Sequence, residues 1–268
     1  MVTVTGENTL VFNAGTGLDI SLDAAGDAME LTAQSSGNTT TLTGAGLSVR
    51  DSGTGNLTWM TGDHQIGQFS GSGAIVSSTG DRNYLILYGS QTVTVTGADT
   101  GINNLGDGSA VTLAGAGDYL GISGAGNTTT IAADGVSVTD NGGTNHFAIA
   151  NGAGNDVLHI QSGDRTDVAS FGSGIAYDQL WLAQSGHDLV MSVVGRPQTL
   201  TLADWFDGGA NHLGEVETAD GYGIGDAGVE QLVQAMAAFS APGAGQATLP
   251  PDLAQSLAPA LAANWHHA

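Results

Sequence analysis

The sequence predicts an all-β chain folded as a parallel β-roll or β-solenoid, with half-coils of about nine residues, closed by a small C-terminal β region and a short helix. Three features carry that expectation. Large apolar residues recur about every nine positions, stretches such as Thr92-Val93-Thr94-Val95-Thr96 alternate with the period of a half-buried strand, and the 43 glycines are spread along the chain instead of collecting in a linker. Nine residues are too few for a helical repeat and enough for a tight turn plus a short strand. Such a strand is unstable alone, whereas stacked coils pair with their neighbours and bury one shared apolar face.

The units follow one another with few interruptions. Leu22, Leu31, Leu42, Trp59, Phe69, Leu87, Val95 and Leu105 close the earlier ones, and Leu113, Ile122, Ile131, Ile149 and Ile160 the later ones. A longer repeat overlies them. Gly37-Asn38-Thr39-Thr40-Thr41-Leu42 returns 89 residues later as Gly126-Asn127-Thr128-Thr129-Thr130-Ile131, and at the same shift Asp51 and Asn56 become Asp140 and Asn145. With two units to a coil, about eight coils at roughly 4.8 Å each predict a rod about 40 Å long.

Charge narrows the partners. Four Arg and no Lys stand against 26 acidic residues, a net charge of -22 that repels nucleic acid and anionic lipid surfaces. With 41% hydrophobic residues recurring regularly, the chain is expected to fold, its carboxylates partly neutralised by bound cations. Cysteine is absent, so neither disulfides nor thiolate metal sites hold the fold. The segment Met1-Val2-Thr3-Val4-Thr5-Gly6 has neither the basic nor the apolar region of a Sec-type signal, and no apolar run reaches the roughly 20 residues of a membrane span.

Alternate turns of a two-unit coil must emerge on opposite rims. One rim collects Asp27, the Asp-free Gly44-Ala45-Gly46, Asp63, Asp81, Asp99, Asp118, Asp134 and Asp156, so seven of its eight turns carry Asp. The other collects Asn38, Asn56, Gly71-Ser72-Gly73, Gly89-Ser90-Gln91, Asp107, Asn127, Asn145 and Asp167, with Asp in two of eight. Carboxylates stacked one coil apart repel, and Ca²⁺ between successive turns would remove the cost, with carboxylate and carbonyl oxygens as hard ligands. Asp and Asn also form turns on their own account, so metal ligation and plain turn formation both stay open.

Asn151-Gly152-Ala153-Gly154-Asn155-Asp156-Val157-Leu158-His159 resembles the RTX nonapeptide, the haemolysin-type calcium-binding repeat, lacking only its first Gly. The resemblance implies a calcium-binding β-roll in which Asp156 is a carboxylate ligand and Gly152 and Gly154 supply carbonyls or turn geometry. Gly163-Asp164-Arg165-Thr166-Asp167-Val168 resembles the degenerate last repeat of such arrays, placing Asp164 and Asp167 beside a metal. Gly115-Ala116-Gly117-Asp118-Tyr119-Leu120 departs from the pattern by one residue. Phe171-Gly172-Ser173-Gly174-Ile175, Asp178-Gln179-Leu180-Trp181-Leu182, Ser185-Gly186-His187-Asp188-Leu189-Val190 and Leu200-Thr201-Leu202-Ala203-Asp204-Trp205-Phe206 resemble the haemolysin-type calcium-binding related region that follows RTX repeats. There Trp205 and Phe206 are expected to cap the open solenoid core.

The expected organisation is therefore a β-roll over 1–171, a capping region over 172–224 and a C-terminal region over 225–268. Val229, Leu232, Val233, Met236 and Phe239 fall at helical spacing, and Leu253, Leu257 and Leu261 follow before Asn264-Trp265. This arrangement resembles the retained C-terminal signal of type I secretion substrates, and implies a secreted, extracellular or cell-surface protein that meets the type I secretion apparatus. No catalytic constellation stands out: His64, His146, His159, His187 and His212 lie in separate turns or strands, and no phosphate loop is present. The favoured reading is a non-enzymatic calcium-binding module with a structural, adhesive or toxin-associated role, meeting a cell-surface polysaccharide or host surface. The competing reading is a carbohydrate-active or carbohydrate-binding solenoid, with ice binding on Thr rows a weaker variant. Against carbohydrate, only 6% of residues are aromatic and most fit core positions.

Overall fold

The computed structural model describes residues 1–243 and 245–268, and the fold is mostly β, with parallel strands stacked as a β-solenoid. The chain divides into two compact units, Met1–Thr129 and Thr130–Ala268.

In Met1–Thr129 each coil gives one strand to each of two parallel sheets. The first sheet stacks Val2–Val4, Asp19–Leu22, Thr39–Leu42, Leu57–Met60, Ile75–Ser78, Thr92–Val95 and Ala110–Leu113. The second stacks Leu10–Asn13, Ala28–Leu31, Ser48–Asp51, Ile66–Phe69, Tyr84–Leu87, Gly101–Asn104 and Tyr119–Ile122. Four strand residues and five turn residues make the predicted nine. Strand positions two and four point inward, so Val93 stacks on Val111 and Val95 on Leu113, all buried, while Thr92 and Thr94 face outward. Each fully buried Leu or Val contributes about 2 kcal/mol.

Two turns depart from five residues: 32–38 is longer, and 88–91 is one residue shorter. The short turn explains the shift of the long repeat. Five coils of 18 residues would move Thr39 by 90, and the missing residue brings it to Thr128 after 89.

Glycine serves two turn positions. The residue before the last has positive φ in every turn of this unit except the short one, as at Gly55 (φ 60°) and Gly117 (φ 73°). The second turn residue packs against the preceding coil, and a Cβ on Gly71 would collide with the Gly53 carbonyl. Non-glycine residues at the first position, such as His64 and Arg82, pay the left-handed strain.

The structure corrects three expectations. Trp59 and Leu105 do not close their units: Trp59 is 40% exposed and Leu105 41%, while Met60 and Asn104 take the inward positions. Strand register, set by turn length, overrides the attraction of the larger apolar side chain. The aromatics are also less internal than composition implied, because none of the five tyrosines is buried.

In Thr130–Ala268 the strands Ser137–Asp140 and Asn155–Ile160 pair in parallel, as do His146–Ile149 and Val168–Phe171. Each sheet then gains one more parallel strand from the expected capping region: Thr199–Leu202 beside Asn155–Leu158, and Glu215–Glu217 beside Val168–Ser170. Beyond them pairing turns antiparallel, with the Leu180–Ser185 and Asp188–Val193 hairpin on one sheet and Tyr222–Gly225 and then His266–His267 on the other. Antiparallel return strands end the open parallel ladder and cover its edge.

Helix α1 (Asp226–Met236) buries Val229, Leu232, Val233 and Met236 as its spacing predicts, and ends before Phe239, which is exposed. It packs on Leu180–Ser185, where Leu180, Trp181 and Leu182 are buried in succession because both faces of that strand are covered. Helix α2 (Pro251–Asn264) packs on α1 through Leu257 and Leu261, with Leu253 only half-buried. Trp205 is buried and Phe206 only partly so.

Candidate metal-binding turns

Within Met1–Thr129, Asp27, Asp63, Asp81, Asp99 and Asp118 all lie in turns leading from the first sheet to the second. They do not form one column. Asp27 and Asp118 occupy the buried last turn position, Asp63 and Asp81 an exposed middle one, and Asp99 the left-handed one (φ 56°). Turn geometry spreads them over three rows, which lowers the repulsion expected of a single stack.

Four of the five give one oxygen to main chain of a neighbouring coil. Asp63 Oδ1 accepts from the Asp81 N–H at 2.9 Å, and Asp81 Oδ1 from the Ala98 N–H at 2.8 Å. Asp118 accepts from Thr100 N–H through Oδ1 and Gly115 N–H through Oδ2, at 2.9 and 3.2 Å. Burial, with the charges of Asp99 and Asp81 adding to it, pushes its carboxyl up to about 6. Asp99 faces Arg82 at 3.9 Å, both well exposed, a pair of small energetic weight.

Asn does the same task on both rims. Asn83 Oδ1 accepts from Gln65 N–H at 2.7 Å, and Asn38 Oδ1 from Leu18 N–H at 2.9 Å. The second atom distinguishes the two residue types. Asn83 Nδ2 donates to the Gly80 carbonyl at 3.0 Å, whereas Asp27 Oδ2 is buried without a donor.

Sequence reasoning passed over Asp51 and Asp140 as sites, although both stood in the long repeat. Each ends an inward strand row, accepts from the N–H two residues on, and holds the Asn five residues on, with Asn56 Nδ2 at 2.9 Å from Asp51 and Asn145 Nδ2 at 3.0 Å from Asp140. Both lie fully buried at the opposite rim, so buried carboxylates are not confined to one. Burial holds Asp51 above the ordinary carboxylate range.

Thr130–Ala268 holds further carboxylates that act on one another. The Asp134 turn and the Asn151–Asp156 turn stack, and Asp134 Oδ1 accepts from Asn155 N–H at 2.7 Å and Asn155 Nδ2 at 3.2 Å. A side chain at Gly154 (φ 106°) would strike Asp134. Asp156 Oδ1 accepts from Val136 N–H at 2.9 Å, while its Oδ2 is buried without a donor. Burial chiefly, with the Asp134 charge adding, pushes Asp156 up to about 7. The far side of this turn is closed by protein: Gln198 bonds Gly152 N–H and the Ala150 carbonyl, and Arg196 reaches Asn151 and the Gly174 carbonyl.

On the other rim Asp140, Asp164 and Asp167 form a second acidic stretch, and burial, with the Asp164 charge adding, raises Asp167. Asp140 is pushed up to about 6 by burial, then by the charges of Asp167 and Asp164. Asp167 accepts from Asn145 N–H at 2.7 Å and from the Ser162 hydroxyl at 2.9 Å, and Ser162 also donates to Asp164. Among the described residues no three acidic or histidine side chains converge to hold a metal by themselves. A cation here needs carbonyl oxygens besides the carboxylates.

The histidines are less scattered than their sequence positions. His159 lies 3.0 Å from Asp204, His187 contacts Asp207, and buried His212 stacks on Trp205 with ring centroids 4.0 Å apart and lies 3.4 Å from Asp226. Arg165 joins Asp226 at 2.7 Å and the Gly209 carbonyl at 3.0 Å, fastening the last repeat to α1. The His159 pair ties a solenoid strand to the cap, and the other two lie within the cap region and the start of α1. No family model matches the chain. Among the described residues no helix is long and apolar enough to cross a membrane.

Proposed function

We propose that the chain is a secreted calcium-binding solenoid of the RTX type with a structural, adhesive or toxin-associated role outside the cell. The observation that carries the reading is the buried Asp156 Oδ2, which has no donor and stands near the carboxylate of Asp134. An oxygen in that position needs a proton or a cation. Two carboxylates and the carbonyls of glycine-rich turns form a hard donor set that fits Ca²⁺, with Gly152 and Gly154 shaping the turn. Asp140, Asp164 and Asp167 make a second acidic group, a weaker candidate because both oxygens of Asp140 and Asp167 already accept hydrogen bonds. A bound calcium ion would neutralise the facing carboxylates and couple folding to the metal concentration outside the cell. Asp63, Asp81 and Asp118 are weaker candidates, because main-chain N–H groups take up at least one oxygen of each. Asp99 faces Arg82, and Asp27 shares the arrangement of Asp156, with Oδ1 on a main-chain N–H and Oδ2 buried without a donor.

Export through the type I secretion apparatus, carried by the α1 and α2 region, belongs to the same reading and rests on the resemblance of that region alone. Isothermal titration of the chelator-treated chain with Ca²⁺ tests the metal directly. Saturable binding that Asp156→Asn weakens at least tenfold, with the circular dichroism of the calcium-free chain retained, is the expected result. Asn is a fair replacement because Asn83 fills the equivalent position. No heat of binding, together with an Asp156→Asn chain more stable than the parent at pH 8, would identify Asp156 as a protonated turn residue and end the calcium reading.

A further inference from the structure

The outward face of the second sheet in Met1–Thr129 carries groups that the calcium reading leaves unused. Two rows cross its strands. One runs Leu10, Ala28, Ser48, Ile66, Tyr84, Gly101, Tyr119, and the other Phe12, Glu30, Arg50, Gln68, Ile86, Asn103, Gly121. We propose that this face binds a neutral, extended β-linked polysaccharide lying across the strands.

Ring geometry is the first argument. Tyr84 and Tyr119 are 43% and 48% exposed, and each lies down over a glycine. A Cβ on Gly101 would stand 3.0 Å from Tyr84 Cδ2, and one on Gly121 would stand 3.4 Å from the Tyr119 hydroxyl. Glycine inside a strand weakens it, and here it makes room for rings laid against the sheet with one face to solvent. Tyr84 and Tyr119 flank Gly101 in register, so they stand two strand spacings apart, roughly 9.6 Å. Backbone positions so spaced, with the Tyr84 ring leaning over Gly101 between them, make an aromatic strip on which the apolar C–H faces of an extended sugar chain can stack.

Polar groups are the second argument. Upstream of the tyrosines the same face sinks into a groove of about 260 Å³ floored by Ala28 and Ser48 and walled by Leu10 and Ile66. Glu30, Arg50 and Gln68 stand side by side along it, with Arg50 Nε donating to Gln68 Oε1 at 3.2 Å. Carboxylate, guanidinium and amide planes can each engage paired sugar hydroxyls, and Asn103 continues the series between the tyrosines.

Charge selects among partners. Glu30 and Arg50 cancel and the remaining outward groups of the two rows are uncharged, while the chain as a whole carries -22. Anionic polymers and a second copy of the chain are both repelled by that charge, and a neutral glycan is not.

The test is affinity electrophoresis of the full chain in calcium-containing buffer, with a mixed-linkage β-glucan and a galactomannan as neutral probes and alginate as the anionic one. Calcium keeps the fold constant, so failure here leaves the metal reading untouched. Retardation by a neutral glycan and none by alginate is expected. Tyr84→Ala and Tyr119→Ala should each weaken it about three- to tenfold, Tyr84→Phe should keep it, and Trp59→Ala on the opposite sheet should not change it. Three outcomes would each overturn the proposal: no retardation by either neutral glycan, retardation unaltered in a folded Tyr84→Ala/Tyr119→Ala chain, or self-association in sedimentation that those substitutions abolish.

Discussion

Met1–Thr129 and Thr130–Ala268 use the same turn chemistry to different ends. In the first unit, five-residue turns present Asp or Asn to a neighbouring coil, and main-chain N–H groups take up the side-chain oxygens. In the second, the 161–167 turn has seven residues, and carboxylates act on one another at Asp134 with Asp156 and at Asp140 with Asp164 and Asp167, as Asp81 and Asp99 act on Asp118 in the first. Residue type and not turn length separates the two, since the 32–38 turn of the first unit is as long as 161–167 and stacks by hydrogen bonds through Asn38. The termini of the ladders differ as well, since only the second unit turns antiparallel and carries helices.

The largest effect that could break this comparison is metal removal. Chelation should destabilise Thr130–Ala268 by about 2.7 kcal/mol per site held at a hundredfold excess over Kd, and hydrogen exchange should accelerate around Asp134 to Asp167 while the turns around Asp63 and Asp81 keep their protection. Equal acceleration in both units would remove the distinction.

The two strand-end aspartates sharpen it. Asp51→Ala takes the acceptor of the buried Gly53 N–H and one of the two acceptors of the Asn56 amide, which keeps Ser35 Oγ, and should cost about 2 kcal/mol in urea unfolding with or without calcium. Asp140→Asn should instead stabilise the chelated chain by about 1 kcal/mol, because it removes a charge facing Asp167 and Asp164, and should lose that gain when calcium is added.

The pH response has a definite sign. The Asp156 carboxyl is raised from 3.8 to about 7, so between those values the folded chain holds a proton that the unfolded chain has released. Without calcium, the melting temperature should therefore fall as pH rises from about 4 to 7 and level off above it. Asp118 and Asp140, each near 6, act in the same direction over a narrower window. Calcium should flatten the slope. The smallest expected effect is that of Arg165→Ala, which removes a half-exposed pair with Asp226 and should cost about 0.5 to 1 kcal/mol, read as a small loss of protection in α1.

The sequence by itself determined the coil. A nine-residue period of glycine turns and alternating strands can bury its apolar residues only by stacking, and two units per coil put Asp27, Asp63, Asp81, Asp99 and Asp118 on one rim. Periodicity fixes faces and rims because it is a property of chain geometry alone. Tertiary structure decided the rest. Whether residue 59 or 60 points inward, whether a carboxylate meets an N–H or another carboxylate, and whether a tyrosine packs inside or lies over a glycine of the next strand all depend on register between coils. The nine-residue period does not resolve that register, because turns of four, five and seven residues all return the chain to a stacked strand.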